Sequence, residues 1–302
     1  MGVTGGMGMV AALLLGGLAL LALFYIGRWV ILERARPRTI EPVAPRLVHP
    51  LIGFVTNFFD TLGVGSFAPT TAAFRLFGLV PDEKIPGTLN VGHALPTVTQ
   101  ALIFIAVVRV DPTTLVLMIA AAVSGAWLGA GIVAKLPRRA IQVGMGVALV
   151  VASALYIMAN LGWIPGGGQA LSLSGGLLVL AVVINILLGA LMTLGVGLYA
   201  PCLILVSLLG LNPIAAFPIM MGSCAFLMPV AGLRFIKAGR YEWRAALGLA
   251  LGGIPGVLIA AFLVDQLPMN WLRWMVALVV LYTALAMLNA ARRRPAASVE
   301  AA

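Results

Sequence analysis

Residues 60–69 read DTLGVGSFAP, and residues 192–201 read MTLGVGLYAP, 132 positions further along the chain. The same offset relates Gly78-Leu79 to Gly210-Leu211 and Pro86 to Pro218. We infer that the chain contains an internal duplication. In each copy a hydrophobic segment is broken by the TLGVG turn, because glycine at this density lets the backbone leave a helix and approach another segment or a ligand closely.

The composition is that of a polytopic membrane protein. Hydrophobic residues make up 62% of the chain and charged residues 9%, and the mean hydropathy is +1.11, whereas about a quarter of the residues of a soluble domain are charged. The net charge of +10 does not indicate nucleic-acid binding, because the basic residues form short clusters between apolar runs without interleaved aromatic residues. We interpret the clusters as orientation signals, which is compatible with a basic surface for anionic lipid headgroups.

A helix needs about 20 apolar residues to cross a bilayer. Two pairs of apolar pieces are shorter than this: 51–62 with 66–80, and about 181–194 with 197–211. We interpret each pair as a re-entrant hairpin. Longer stretches follow at 87–108, 113–135 and 139–160 in the first copy, and at 214–236, 245–264 and 271–290 in the second.

The predicted fold is an all-α polytopic membrane protein built from inverted tandem repeats. Each repeat is a re-entrant half-helix hairpin plus three transmembrane helices, and one extra N-terminal transmembrane helix precedes them. This first helix has no basic residues before it and several arginines after it, so we expect it to be retained rather than cleaved. The predicted divisions are the N-terminal transmembrane helix 1–33, a cytoplasmic linker 34–50, repeat 1 at 51–161, an external loop 162–174, repeat 2 at 175–291 and a cytoplasmic tail 292–302.

The distribution of charge predicts the orientation. The basic clusters around Lys135, Lys237 and Arg292 are expected in the cytoplasm, whereas the loop 162–174 has no charge and is expected outside. The N-terminus then lies outside and the C-terminus in the cytoplasm. Because each repeat has an odd number of full spans, the copies are predicted to be inverted about an axis in the membrane plane, which brings both TLGVG turns near the midplane.

Matched helix interruptions in the two halves of a membrane protein point to a transported substrate's site. A short helix is predicted after each turn, and its first turn exposes N–H groups carrying about half a positive charge, so two such ends form a candidate anion site. The predicted substrate-binding residues are Asn57, Thr61, Gly63, Gly65, Ser66, Asn90, Thr193, Gly195, Gly197, Tyr199 and Cys202, with further donors at Thr70, Thr71, His93, Thr97, Gln100, Ser223 and Cys224. The alternatives are close helix packing for the glycines, helix capping for Thr61 and Thr193, interhelical hydrogen bonding for Asn90 and Gln100, and packing for the cysteines.

Asp60, Arg75 and His93 are predicted to act in coupling or gating, because ionisable groups within membrane segments are costly and usually functional. Asp60 ends a half-helix, where the helix dipole disfavours a carboxylate and protonation relieves it. The alternatives are an ion pair between Asp60 and Arg75, an interfacial position for Arg75, and structural hydrogen bonding for His93. Cys202 and Cys224 both fall within predicted membrane segments and indicate neither a disulfide nor a metal site, and no cofactor is predicted.

The duplicated glycine turn, the proline after it and the Gly-Leu-x-Pro connection together resemble the TauE/SafE family of sulfite exporters. The resemblance covers about residues 47–290 and is strongest at Gly63, Gly65, Pro69, Gly195, Gly197 and Pro201. It implies a carrier of small sulfur-containing anions in a bacterial inner membrane, with sulfite as the leading candidate. The chain departs from its own symmetry where Asp60 matches Met192 and Thr70 matches Cys202, so the two halves of the predicted site are chemically unequal.

The predicted function is export of sulfite or a related small sulfur-containing anion by alternating access, with that anion and the lipid bilayer as partners. The alternative within transport is uptake or export of thiosulfate or an organosulfonate. An intramembrane enzyme needs a nucleophile with a base, or paired carboxylates, and the sequence offers Asp60 and His93 in isolation. The chain is therefore predicted not to be an enzyme, and a non-transporting membrane scaffold is the remaining alternative.

Overall fold

The computed structural model describes residues 2–35, 46–163, 168–195 and 197–263, together with single residues and pairs between 274 and 292. In these ranges the regular elements are helices, accompanied by one isolated bridge between Ala170 and Leu211. The all-α prediction is confirmed. The α-helices are α1 Gly2–Arg34, α2 Val48–Thr61, α3 Phe67–Leu76, α4 Ile85–Gly92, α5 Ala94–Val107, α6 Pro112–Val133, α7 Arg138–Asn160, α8 Gly175–Met192, α9 Tyr199–Leu208, α10 Pro213–Ala238 and α11 Trp243–Leu263.

Within the described ranges, six helical stretches are long and apolar enough to cross a membrane. They are Gly8–Arg34, Asp82–Val107, Pro112–Val133, Gly175–Met192, Ala215–Ala238 and Trp243–Phe262. The predicted span 139–160 corresponds to α7, whose apolar part is the shorter Arg139–Leu155. The predicted span 271–290 lies mostly outside the described residues.

The helices beside the two glycine turns differ in length. In the first pair α2 has 14 residues and α3 has 10, so neither reaches a span length. In the second pair α9 also has 10 residues, but α8 begins at Gly175 and has 18. The start near residue 181 was therefore predicted too late, because apolar residues continue upstream of it. The re-entrant hairpins stay a prediction.

The predicted helix over 87–108 is divided at His93, where α4 ends and α5 begins. Pro96 accounts for the division, because proline has no N–H to donate and its ring clashes with the carbonyl four residues earlier, here that of Gly92. The division places the His93 ring, which is fully buried, against residues of α2 and α3.

Each first helix of a repeat packs most extensively on a helix of the other repeat: α2 on α11, and α8 on α6. Both contacts depend on glycine, because a Cβ at Gly252 would lie 1.8 Å from the Pro50 carbonyl oxygen and one at Gly125 would lie 1.9 Å from that of Ile186. By the sequence offset, α2 corresponds to α8 and α6 to α11. The corresponding helices thus exchange partners between the two copies, and the inverted arrangement of the repeats stays a prediction.

The centre of the bundle is α10, which packs on α4, α5, α6 and α9. The peripheral helix α1 is attached to it and to α5 mainly on one side. On that side the Tyr25 hydroxyl donates to the Val91 carbonyl oxygen at 3.2 Å, and the Trp29 indole donates to the Tyr241 hydroxyl at 3.0 Å. Because α10 contacts helices of both repeats, the glycine turns lie inside the bundle rather than at its periphery.

Candidate functional site

The first glycine of each TLGVG turn has a closely similar backbone. Gly63 has φ of 85° and its N–H donates to the Asp60 carbonyl oxygen at 2.9 Å, while Gly195 has φ of 93° and donates to the Met192 carbonyl oxygen at 2.9 Å. Left-handed backbone is open to glycine and strained for other residues. The repeated glycine is therefore required by the way each preceding helix ends.

A small cavity separates the two turns. Its volume is about 10 Å³, which is room for about one water molecule. The N-terminal residues of both short helices line it, with Ser66 and Phe67 at the start of α3 and Leu198 and Tyr199 at the start of α9. The remaining lining residues are Asp60, Gly65 and Thr97 from the first copy, and Met192, Gly197 and Cys224 from the second. The positive ends of two helix dipoles thus meet at one cavity.

A chain of hydrogen bonds crosses the cavity wall from one copy to the other. The Gln100 amide nitrogen donates to the Asp60 carboxylate at 2.9 Å and lies 3.0 Å from the Thr61 hydroxyl. The Tyr199 hydroxyl donates to the Gln100 side-chain oxygen at 2.6 Å. The hydroxyl and backbone N–H of Ser66 also face the Asp60 carboxylate. Asp60 is therefore buried and held by neutral donors from both copies of the repeat.

A second network fixes the turn of the first copy to the break between α4 and α5. The Asn57 amide nitrogen donates to the Gly53 carbonyl oxygen at 2.7 Å, so its side-chain oxygen faces His93 Nδ1 at 3.1 Å. His93 Nε2 lies 3.0 Å from the Thr70 hydroxyl. The Asn57 oxygen can only accept, so Nδ1 carries a proton, and the Thr70 hydroxyl can donate to Nε2 of a neutral imidazole. His93 thus joins α2 to α3, which is the structural role left open for it.

The possible ion pair between Asp60 and Arg75 is wrong. Arg75 Nη1 lies 2.6 and 2.5 Å from the two carboxylate oxygens of Asp82, and the Gln142 amide donates to the same carboxylate at 2.7 Å. The pair forms because the chain reverses between α3 and α4 and brings Asp82 back beside the end of α3. Arg75 therefore links α3, the 3-10 turn Asp82–Lys84 and α7 at a distance from the cavity.

The predicted site residues fall into two groups. Asp60, Gly65, Ser66, Gly197 and Tyr199 line the cavity. Thr61 contacts Gln100, which bonds to the lining residues Asp60 and Tyr199, whereas Asn57 contacts His93. The others face elsewhere in this conformation. Gly63 lies against Phe217, Gly195 against Met145 and Leu89, Thr193 donates to the Ala190 carbonyl oxygen, Asn90 donates to the Pro86 carbonyl oxygen, and Cys202 is buried in the core cluster.

Three apolar lining residues, Phe67, Met192 and Leu198, were not predicted. Their position directly beside the glycine turns could have identified them, because the backbone faces the cavity there. The two sulfur atoms of Cys224 and Met192 lie 3.5 Å apart at its edge. Cys224 rather than Cys202 therefore faces the cavity.

Comparison with known proteins identifies the family of the chain. The family model described as sulfite exporter TauE/SafE matches residues 1–156 and 177–301. The match extends beyond the resemblance at 47–290 to include the first helix, and the gap in it contains the predicted loop between the repeats. No curated protein and no solved structure matches the chain. The chain belongs to the TauE/SafE family.

Proposed function

We propose that this TauE/SafE protein exports sulfite, or a related small sulfur oxyanion, across a bacterial inner membrane by alternating access. The anion is held between the two TLGVG turns, at the cavity lined by both copies. The observation that carries the proposal is the meeting of two helix N-termini, those of α3 and α9, at one buried cavity.

The donors around the cavity suit an oxyanion with no side chain of its own. Ser66, Thr97 and Tyr199 offer hydroxyl groups, and the ends of α3 and α9 offer backbone N–H groups. Sulfite has a sulfur atom and three oxygens, so it is larger than the single water molecule for which the cavity has room. Binding of the anion between the turns consequently requires α3 and α9 to separate.

Asp60 makes anion binding dependent on protonation. An anion about 5 Å from an ionised carboxylate is destabilised by about 3 kcal/mol at an effective dielectric constant near 20. Asp60 therefore carries a proton while the anion is bound. It also releases its neutral donors, Gln100 and Ser66, toward the anion. A divalent anion moving with one proton still carries net negative charge outward, which an inside-negative potential favours by about 2.3 kcal/mol per charge per 100 mV.

The test is sulfite efflux from proteoliposomes with an imposed inside-negative potential. Wild type is expected to release sulfite faster than sulfate or chloride. Gly65→Leu and Gly197→Leu are each expected to abolish the flux, because a leucine side chain fills the cavity from one side. Gly16→Leu on α1 is the matched control, since nothing lies within 4 Å of a Cβ at that position. Normal flux in both cavity variants would remove the site.

Thiosulfate is a second candidate because two sulfur side chains, Cys224 and Met192, stand at one edge of the cavity. A polarizable sulfur surface favours the terminal sulfur of thiosulfate over the oxygens of sulfite. The same proteoliposomes distinguish the two substrates, since each anion can be loaded separately and its efflux measured at equal concentration.

A further inference from the structure

A groove on the lipid-facing side of the bundle carries three basic side chains beside an apolar wall. It runs between α1, α6 and α10 and has a volume of about 640 Å³. Lys135, Arg234 and Lys237 supply the positive charge, and Leu21, Phe24 and Leu233 belong to the apolar wall. We refer to this surface as the basic groove.

The three cations lie at the same end of the bundle. Lys135 follows the end of α6, and Arg234 and Lys237 belong to the last turns of α10. The carbonyl groups at helix C-termini carry partial negative charge and stabilise cations there. Arg240 satisfies carbonyl groups at the end of α6, since it donates to the carbonyl oxygens of Ala134 and Leu136 at 3.1 and 3.0 Å. Lys135, Arg234 and Lys237 are left facing the groove, at the end predicted to be cytoplasmic.

Arg234 has a defined position in the basic groove. Its guanidinium lies 4.2 Å from the centre of the Trp127 ring, a cation–π contact between α10 and α6. It crosses α6 where Gly131 leaves space, since a Cβ at Gly131 would lie 2.2 Å from Arg234 Nη1. The guanidinium is thereby held beside the groove by a flat aromatic surface, which leaves its N–H groups available to a ligand in the same plane.

The basic groove continues into an apolar pocket of about 410 Å³. Trp127 and Val230 line both, and Val123, Ser124 and Leu128 complete the second. In the described part of the chain, neither lining includes an Asp or Glu. A ligand with an anionic head and a long apolar tail can occupy both the basic groove and the apolar pocket, whereas a free oxyanion can contact only the cations of the groove.

We infer that the basic groove binds one anionic phospholipid of the cytoplasmic leaflet. Its phosphate contacts Arg234, Lys237 and Lys135, and an acyl chain lies along Val230 and Leu128. Basic pockets between transmembrane helices at the cytoplasmic side are the sites expected for such headgroups. The lipid would join α1 to α6 and α10, across a boundary at which α1 has few buried side chains.

The experiment is native mass spectrometry of the purified full chain, titrated with dioleoyl phosphatidylglycerol or with dioleoyl phosphatidylcholine. Phosphatidylglycerol is expected to bind at one site, and Arg234→Gln/Lys237→Gln is expected to weaken it about tenfold or more. Arg46→Gln/Arg139→Gln is the matched control, because it removes two exposed arginines elsewhere at the predicted cytoplasmic end. Gly131→Leu retains all charges but displaces Arg234, and it is expected to weaken binding as well.

Four results would overturn the inference. They are equal binding of the two lipids, an equal loss in the Arg46→Gln/Arg139→Gln control, full displacement of phosphatidylglycerol by millimolar inorganic phosphate, and loss of a dimer in Arg234→Gln/Lys237→Gln without any change in lipid affinity. The third identifies a free-anion site and the fourth a contact between copies. Unfolding temperature in lipid-free detergent checks that each variant is folded.

Discussion

The two TLGVG turns share the conformation of their first glycine but differ at the second and in the side chains around them. Gly65 has a φ of 88°, whereas Gly197 does not adopt the left-handed conformation. Gly63 and Gly195 both adopt left-handed φ, and so do Gly78 and Gly210 at the ends of the following short helices. Yet Asp60 is matched by Met192. The first copy supplies the buried carboxylate and most of its hydrogen-bond donors, and the second supplies sulfur atoms and one hydroxyl, that of Tyr199.

This difference shows which constraint acts on each part of a duplicated site. The backbone geometry of both turns is needed to aim two helix N-termini at one cavity, so glycine is present in both. The carboxylate is needed once, because a second one at the position of Met192 would repel both Asp60 and an entering anion.

Asp60→Met removes the carboxylate and makes the first turn equal to the second at this position, where the second turn has Met192. Sulfite flux is expected to fall by about 30-fold or more, because methionine cannot carry the proton that accompanies the anion and leaves the buried Gln100 amide without its carboxyl partner when the site is empty, which costs about 2 kcal/mol or more. Met192→Leu is the control at the corresponding position of the second turn, and its flux is expected to lie within about threefold of wild type. Proteoliposome efflux measures both, and wild-type flux in Asp60→Met would contradict the role given to the carboxylate.

Asp60→Asn tests whether the charge of Asp60 makes sulfite binding depend on pH. An amide cannot ionise, so the sulfite affinity of this variant is expected to decline less toward high pH than that of wild type, in which ionised Asp60 repels the anion. Tyr199 and Cys224 are the other titratable groups facing Asp60, and both remain in the variant. Binding measured between pH 6 and 9 in detergent would contradict proton coupling at Asp60 if wild type and variant declined in parallel.

Alanine at the matched glycines tests how equal the two backbones are. Gly63→Ala and Gly195→Ala are each expected to lower the free energy of unfolding by about 1 to 2 kcal/mol, since both positions are left-handed. The loss is expected to be larger at Gly195, where a Cβ would lie 2.8 Å from Met145 Cε, than at Gly63, where the nearest atom is Phe217 Cζ at 3.4 Å. Denaturant unfolding in mixed micelles gives the difference, and an unchanged stability at either glycine would contradict the turn geometry.

The cysteines give the smallest expected effect. Cys224→Ala is expected to lower thiosulfate affinity about threefold or less and to leave sulfite affinity unchanged, because Cys224 faces the cavity. Cys202→Ala is the matched control, since this buried thiol belongs to the core cluster. Equal effects of the two variants on both anions would remove the second candidate substrate.

Much of the backbone arrangement was predictable from the sequence, and the side-chain pairing was not. The glycine turns and the division into apolar helices follow from local requirements that the sequence displays. The contact of Gln100 with Asp60 and Thr61 depends on how α5 is rotated relative to α2, which Pro96 and the break at His93 determine. The ion pair between Arg75 and Asp82, which replaces the alternative pair with Asp60, was not predictable because sequence distance did not reveal the reversal that returns Asp82 to α3.

The central claim is that both turns hold a single anion. The most direct test is the thermal stability of the purified protein in detergent with sulfite, sulfate, thiosulfate or chloride, since a ligand that binds the folded state raises the unfolding temperature. A shared site predicts a selective rise with sulfite that either Gly65→Leu or Gly197→Leu alone abolishes. A sulfite-induced rise that survives in either single variant would contradict it, because one turn would then be sufficient.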